Sequence, residues 1–589
     1  MTLFDPNYST LVDVLRWRAT NQPDKRAFIF LRNGEEEEAV WTYSELDRRA
    51  RTVAAHLQAM GAQGQRALLV FPPGLDYVAA FMGCLYAGTV AVPIYPPHPK
   101  RPDPRFDAVM ANANPIAALT TTDIAAVVTS PAAKAHAWSA LHWVATDQLD
   151  LSTGDQWEPL SPDPNAIAFL QYTSGSTSNP KGVMISHTNL MHNERQIAEA
   201  MGLDENSVIC GWVPLYHDLG LIGNVLQSLY LGSTCVLMAP LAFLVKPMRW
   251  LEAISRYGAV FSAGPNFAYE LCITRSTPEH VARLDLSRWQ RAVNAAEPVR
   301  PETLARFAQT FAPAGFRPEA LHPCFGLAEA TVFAAGGNRQ ATPRVWHLDR
   351  GALEGRQVRE VAPDDPSVRP LVSCGMAPSG VQITIVNPET RTACAADQVG
   401  EVWIAGPNVA QGYWQLPDAT SHTFGAYTAT GEGPFMRTGD LGLLRDDEVY
   451  IVGRIKDLII IRGQNHYPED IEWTVQTCHP AIRPGGTAAF SDDGTGEEQL
   501  ILVVETDRLE PAGVNEVIAA IRQALYDNHT LSAFGILLVK SRTIPKTSSG
   551  KVQRHATKTM YRNQTLPIMD GLLGNARVTP AESVVEPLV

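Results

Sequence analysis

The sequence predicts an α/β protein: doubly wound, mainly parallel sheets, then a strand-rich stretch, then a small α+β unit. Three observations carry this. Helical and strand patterns alternate from the N-terminus to about residue 335, as in chains that lay helices on both faces of a parallel sheet. Strand patterns without intervening helices follow, in VQITIV, GEVWIAG and EVYIVG. After Asp457 the character changes again, with DLIII, QLILVVET, a helix over 514–528 and GILLVK. A length of 589 residues allows about two to four domains.

Taken in order, FIFL and VWTY read as a hairpin turned at Asn33-Gly34, which leaves the acidic run 35–38 solvated. Ser44 is placed to cap a helix that runs through Met60 and closes at Gly61. RALLVF (66–71) reads as a strand, 75–86 as a helix and TVAVPI (89–94) as a strand, followed by the proline-rich loop YPPHPKRPDPRF. AIAFLQY (166–172) and GVMIS (182–186) read as strands. The next helix starts near Thr188 as N-cap, with Leu190, Met191 and Ile197 on one face. The charge-free stretch 219–245 is long enough for a membrane span. Asn224, Gln227, Ser228, the turn at Gly232-Ser233-Thr234 and Pro240 interrupt it, so a helix, a turn and the buried strand TCVLMA fit better. Residues 334–372 are poorly periodic, and the chain from about Thr579 reads as frayed.

Composition narrows the function. Hydrophobic residues make up 45% and charged residues 19%, the balance of a globular chain with ample core. The net charge is −13 with no basic tract, which argues against nucleic acid as a partner. The eight cysteines form no C-x-x-C pair and no zinc-like spacing. They read as free thiols of a reducing compartment, and with no signal-peptide pattern they point to the cytoplasm.

The stretch YTSGSTSNPKGVMISHTNL (172–190) carries the chemistry. Small residues let backbone N–H groups approach phosphate oxygens, and hydroxyls add donors. It is not a Walker A loop. Pro180 precedes Lys181 where that motif has Gly, and Gly182 follows it where that motif has Ser or Thr. The loop joins two strands rather than a strand and a helix, which excludes a kinase-like P-loop protein. Five further stretches matter. They are NAAEPVR (294–300), CFGLAEAT (324–331), RTGDLG (437–442), GRIKDLIIIRGQNHYPEDIE (453–472) and PKTSSGKVQR (545–554). Singly, each has a plain alternative. Asp440 can cap a turn, Lys551 can be a solvated lysine, and Glu329 an exposed helix acid. Phe325 can be a core aromatic and His217, in WVPLYHDLGL, a hydrogen-bonded structural histidine. Their joint order and spacing is far more specific.

Over about 10–560 this set resembles the adenylate-forming superfamily of acyl-CoA synthetases, firefly luciferase and non-ribosomal peptide adenylation domains. Within it the chain is most similar to the fatty acyl-AMP ligases, through PLYHDLGLIG, CFGLAEAT, IIIRGQNHYPEDIE and the long connection 334–372 before LVSCG. The resemblance implies an N-terminal adenylation domain over 1–455, with a strand-rich subdomain, and a small mobile α+β domain over 456–589. It implies that a fatty acid and ATP give acyl-AMP and pyrophosphate. The acyl group then passes to the phosphopantetheine of a separate acyl carrier protein. No Asp-Ser pair occurs in the chain, so the usual attachment site of such an arm is not found in it. By similarity, Thr173, Ser174, Gly175, Ser176, Thr177 and Lys181 hold the β- and γ-phosphates. Ala295, Ala296 and Glu297 line one face of adenine and Phe325 stacks on the other. Glu329 helps bind Mg²⁺, Asp440 accepts from the ribose hydroxyls, and Arg454 lies nearby. Lys551 bridges the carboxylate and the α-phosphate, His217 borders the carboxylate, and Lys456 is the hinge. One departure stands out: many superfamily members have Thr where this chain has Ala328. The acyl pocket is expected among WVPLYHDLGLIGNVLQSLY, APLAFL and FSAGPNFAYE. The alternatives are a long-chain acyl-CoA synthetase, disfavoured by the 334–372 insertion, and a nucleotide-binding scaffold without chemistry. Retention of Lys551, Glu329, Asp440 and Arg454 disfavours the latter.

Overall fold

A computed structural model describes residues 8–97, 102–134, 136–161, 163–173, 180–337, 341–461, 464–492, 498–507, 511–547, 550–574 and 576–579. Two sheets dominate the first 454 residues. The larger has fourteen strands. Its centre is parallel, with Leu321–Phe325, Arg291–Asn294, Phe261–Gly264, Ile209–Gly211, Cys235–Met238 and Arg26–Arg32 side by side. The strand-rich stretch is a continuation of this sheet. It joins antiparallel through the short strand Ala335–Gly336. The smaller sheet has six strands, parallel except where Ile167–Tyr172 meets Gly182–Ser186. Helices Leu11–Asn21, Tyr43–Ala59, Leu75–Tyr86 and His187–Met201 lie between the sheets. Their apolar faces share one core with Leu69 and Phe169 of one sheet and Ile209, Phe261 and Val293 of the other.

Two helix starts differ from expectation, for the same reason. Thr42, not Ser44, caps the second helix. Its hydroxyl accepts from the Glu45 N–H (3.2 Å), and the Glu45 carboxylate accepts from the Thr42 N–H (2.8 Å). Ser186, not Thr188, caps His187–Met201 in the same reciprocal way with Asn189. A reciprocal pair satisfies two end groups of the helix and outcompetes a lone hydroxyl two residues later. The Thr188 hydroxyl donates instead to the Pro164 carbonyl (2.8 Å). Asn33 and Gly34 turn the hairpin in left-handed backbone, with φ of 49° and 78°. The stretch 219–245 becomes a helix with a π-helical segment over Leu221–Leu226, then a turn, the strand Cys235–Met238 and the helix Pro240–Val245. Among the described residues no helix is long and apolar enough to cross a membrane.

Residues 334–372 carry more order than their periodicity suggests. They contain the strand Val345–Asp349 and the helix Arg350–Glu354, and they enter the strand Val368–Met376. Short elements of this size leave too few residues for a period to register. This connection lies against the chain just after Lys456. The Glu354 carbonyl accepts from Asn465 (3.0 Å), the Glu354 carboxylate meets His466 (2.9 Å), and the Leu353 carbonyl accepts from Tyr467 (3.2 Å).

The C-terminal unit has a five-stranded sheet of its own with helices Pro468–Thr477, Pro511–His529 and Arg554–Arg562. Leu500, Leu502 and Val504 pack on Val517, Ile521 and Leu525, while Ile501, Val503 and Leu537 face the other side. Strand alternation of this kind requires both sheet faces to be covered. Two polar hubs seat the unit. Asp470 pairs with Arg300 (3.1 Å) of the larger unit and with Arg369 (2.6 Å) at the end of the insertion. Arg554 pairs with Asp457 (3.0 Å), Glu469 (2.9 Å) and Glu472 (2.7 Å).

Candidate active site

Every described residue singled out in the six motifs reaches one cavity of about 1620 Å³ between the two units, at the carboxyl ends of the parallel strands. In open α/β sheets this is where ligands sit, because the loops that leave the strands converge there. Ser174, Gly175, Ser176 and Thr177 lie outside the described residues. The ends of their loop are held together, since the Thr173 N–H donates to the Lys181 carbonyl (3.2 Å).

Lys181 lies over the ring of Tyr413, 4.7 Å from its centroid. The Tyr413 hydroxyl donates to Glu329 (2.8 Å). One lysine, one aromatic and one carboxylate thus form a chain from the hydroxyl-rich loop to CFGLAEAT. Sequence reasoning missed Tyr413. Its only signal is a Gly-aromatic pair in AQGYW, where Gly412 accepts from the Met184 N–H and ties this loop to GVMIS. Ala328 is buried beside Glu329. The nearby Thr331 hydroxyl supplies no substitute donor, because it is spent on the Asn408 carbonyl (2.7 Å). Gly326 makes this turn possible: a Cβ there would come within 1.7 Å of the Val332 carbonyl oxygen.

Ala295, Ala296 and Glu297 follow the strand Arg291–Asn294, and Ala296 takes a left-handed φ of 73°. Such backbone in a non-glycine residue is sparsely populated and clusters at functional sites. The Glu297 carboxylate accepts from the Phe267 N–H (2.5 Å). Burial raises the Glu297 pKa, an effect opposed by that hydrogen bond and by Lys551 and Lys546. Phe325 ends its strand with its ring at the cavity. Asp440 and Arg454 are direct partners across an antiparallel pair, and the Arg454 Nε donates to Asp440 (2.7 Å). The two motifs, RTGDLG and GRIKD, are the two arms of one hairpin.

Lys551 enters from the C-terminal unit. Its loop is closed by the Thr547 N–H donating to the Lys551 carbonyl (2.8 Å) and the Lys551 N–H to the Thr547 hydroxyl (3.0 Å). Burial, then the Arg454 charge, lowers the Lys551 pKa; Asp218, Glu297 and Asp440 oppose this. A buried ammonium ringed by carboxylates is poised for an anionic ligand. His217 lies 2.6 Å from Asp218 through Nδ1. The Leu219 N–H donates to the same Asp218 oxygen (2.7 Å). With Nδ1–H donating to Asp218, the ring leaves Nε2 free for a ligand. Burial alone would raise the Asp218 pKa, yet His217, the Leu219 N–H and Lys551 bring it below the ordinary value. Gly220 permits this bend, because a Cβ would stand 2.2 Å from the Pro214 carbonyl oxygen. Lys456 lies in the 3₁₀ turn Ile455–Asp457, at the join of the units and on the cavity wall.

The apolar side of the cavity corrects the expected pocket. Of WVPLYHDLGLIGNVLQSLY, Leu219 and Gly223 line it, of APLAFL, Leu244, and of FSAGPNFAYE, Phe261 and Phe267. Trp212 and Phe243 instead stack on each other at 3.9 Å in the core. Ile197, Met201, Val293 and Phe333 complete the wall and went unforeseen, because each reads as ordinary core by periodicity.

The family model for AMP-binding enzymes matches residues 15–414. A second, for the AMP domain of Disco-interacting protein 2-like proteins, matches 456–571. The chain is 45% identical to the medium-chain fatty acid–acyl-carrier-protein ligase JamA of Moorena producens, over 95% of this chain and 96% of that one. It is 37% identical to the long-chain-fatty-acid–AMP ligase FadD26 of Mycobacterium tuberculosis, over 95% and 98%. The chain belongs to the AMP-binding enzymes, among the fatty acyl-AMP ligases. The Legionella pneumophila fatty acyl-adenylate ligase, solved with acyl adenylate and pyrophosphate, superposes with a TM-score of 0.75 at 38% identity, covering 97% of this chain and 99% of that one. In this fatty acyl-AMP ligase the AMP-binding match ends on Trp414, next to the Tyr413 that bridges Lys181 and Glu329.

Proposed function

We propose that this ligase joins a fatty acid to AMP, releases pyrophosphate and transfers the acyl group to the phosphopantetheine of a separate acyl carrier protein, in the cytoplasm. One observation carries the reading. Lys551 of the C-terminal unit is buried in the same cavity as the Asp440–Arg454 pair, Glu297 and the His217–Asp218 pair. A carboxylate is a poor acyl donor until its oxygen becomes a leaving group. Attack on the α-phosphorus of ATP forms the C–O–P anhydride and breaks the bond to pyrophosphate. Such transfer depends on positioning and charge neutralisation. Thr173 to Thr177 with Lys181 take the departing phosphates. Ala295, Ala296, Glu297 and Phe325 enclose adenine, and Asp440 with Arg454 holds the ribose. Lys551 spans the carboxylate and α-phosphate, with His217 beside them.

Glu329 fits Mg²⁺ carried in on ATP. One of its oxygens is held by Tyr413, and Mg²⁺ keeps most of its waters while taking one or two carboxylates plus phosphate oxygens. The ion would neutralise phosphate charge there. Units of 1–455 and 456–589 with Lys456 as hinge are supported by the separate core of the second and by the family match that starts at 456.

The test is one mass-spectrometric assay with Mg·ATP and either octanoic or dodecanoic acid, with CoA in one tube and a phosphopantetheinylated carrier protein in another. Acyl-AMP in both, acyl-carrier in the second and no acyl-CoA is the expected result. Abundant acyl-CoA would make the chain an acyl-CoA synthetase instead.

A further inference from the structure

One helical turn behind the residues that line the apolar arm of the cavity lie fully buried polar groups. Leu219 and Gly223 line it from one helix and Met201 and Ile197 from a facing one. One turn beyond Gly223 is Gln227, and one turn beyond Ile197 is Glu194. Both are fully buried at 0% exposure. They meet: with the Gln227 amide turned over so that its nitrogen rather than its oxygen faces Glu194, that nitrogen donates to the Glu194 carboxyl (2.5 Å) and to the Glu194 carbonyl (3.1 Å). The other carboxyl oxygen of Glu194 has no partner among the described residues, and neither does either amide atom of neighbouring Asn224. Asn224 sits in the π-helical segment, over Gly211, where a Cβ would stand 2.4 Å from its nitrogen. Irregular turns of this kind concentrate at functional sites. Burial raises the Glu194 pKa well above the ordinary value, which favours the neutral carboxyl.

We infer that Glu194 and Gln227, with Asn224 beside them, form a polar floor to the acyl pocket that limits the length of plain alkyl chains and accepts a hydrogen-bonding group at the far end. This rests on the fatty-acid reading above. From Leu219 to Gln227 the helix rises about 12 Å, and an extended chain advances about 1.2 Å per bond. An acid with about ten bonds beyond its carboxylate therefore meets the floor. A methyl terminus there leaves the carboxyl and amide groups unpaired. A terminal hydroxyl pairs with them. Sites built to pair with a hydroxyl discriminate strongly against the analogue that lacks it.

The test compares kcat/KM for acyl-AMP formation between n-alkanoic acids of about 6 to 16 carbons and their ω-hydroxy counterparts. Wild type should show a ratio near one for short chains. At the length that reaches the floor the ω-hydroxy acid should be favoured by about tenfold or more. In Glu194→Leu/Gln227→Leu that preference should vanish and longer alkanoic acids should be accepted. Exchanging both partners for apolar groups of similar shape is well tolerated. Glu194→Met alone should lower the ratio partway if the double variant melts too low to assay. A ratio of one at every length, or one that the variants leave unchanged, overturns the floor while leaving the ligase reading intact. No acyl-AMP from any acid overturns both.

Discussion

At the scale of single residues, Lys551 is the most consequential side chain. It arrives from a different unit and is buried among Arg454, Asp218, Glu297 and Asp440. On the proposed mechanism a cation held there in advance would stabilise charge that develops only during reaction, so its removal would read in rate. Lys551→Ala should lower acyl-AMP formation by about 10²–10³, as removal of a single preorganised donor does. Pyrophosphate release under saturating ATP measures this. A loss of less than about threefold would remove Lys551 from the chemistry. Tyr413 shows what a motif reading omits. Its hydroxyl and its ring face two different motif residues, Glu329 and Lys181, and neither relation leaves a mark in local sequence.

At the scale of elements, reciprocal caps decide where the helices facing the cavity begin. Thr42 pairs with Glu45, and Ser186 pairs with Asn189. Thr42→Ala and Ser186→Ala should each lower unfolding stability by about 1 kcal/mol. Ser44→Ala and Thr188→Ala should cost less, and chemical denaturation of the four variants would rank them. Ser186 matters beyond stability, since its helix carries Ile197 and Met201 to the pocket. Strand boundaries were legible to within a residue for QLILVVET and GILLVK, because both are buried on both faces and bounded by turn residues. The 334–372 connection was not, since its strand takes its order from a later strand, Val368–Met376, and its short helix from partners more than a hundred residues away.

At the scale of the molecule, the two units meet through charge. Asp470 joins Arg300 and Arg369, while Lys456 sits in the turn between the units. Fixing φ at that turn should hold the C-terminal unit in its present seat, where Lys551 faces the cavity. Lys456→Pro should therefore leave acyl-AMP formation intact and abolish transfer to the carrier protein. Equal loss of both half-reactions would sink the hinge. Acid should loosen the whole protein. His187 and His322 are buried, and burial pulls both pKa values to about 4. The unfolded chain takes up these protons near pH 6.5, the folded chain only near pH 4. Stability should thus fall as pH drops through that window, by about 2 kcal/mol per histidine at pH 5. Thermal melts from pH 7 to 5 test this, and His322→Phe should flatten the slope.

The sequence by itself determined the fold class, the order of the elements, the family and the six motifs, because strand alternation, helix periodicity and loop composition are local properties. It also singled out Asp440, Arg454, Glu329, Phe325 and Lys551, which the structure brings to one cavity. Only the tertiary structure decided that Asp440 and Arg454 are cross-strand partners, that Tyr413 joins Lys181 to Glu329, and that Asp218 backs His217. It also decided which apolar residues are wall and which are core. Trp212 and Leu219 read alike along the chain, yet one stacks on Phe243 in the core and the other lines the cavity. Such pairings depend on how distant strands and helices are brought together, and a residue's neighbours in sequence carry no record of that.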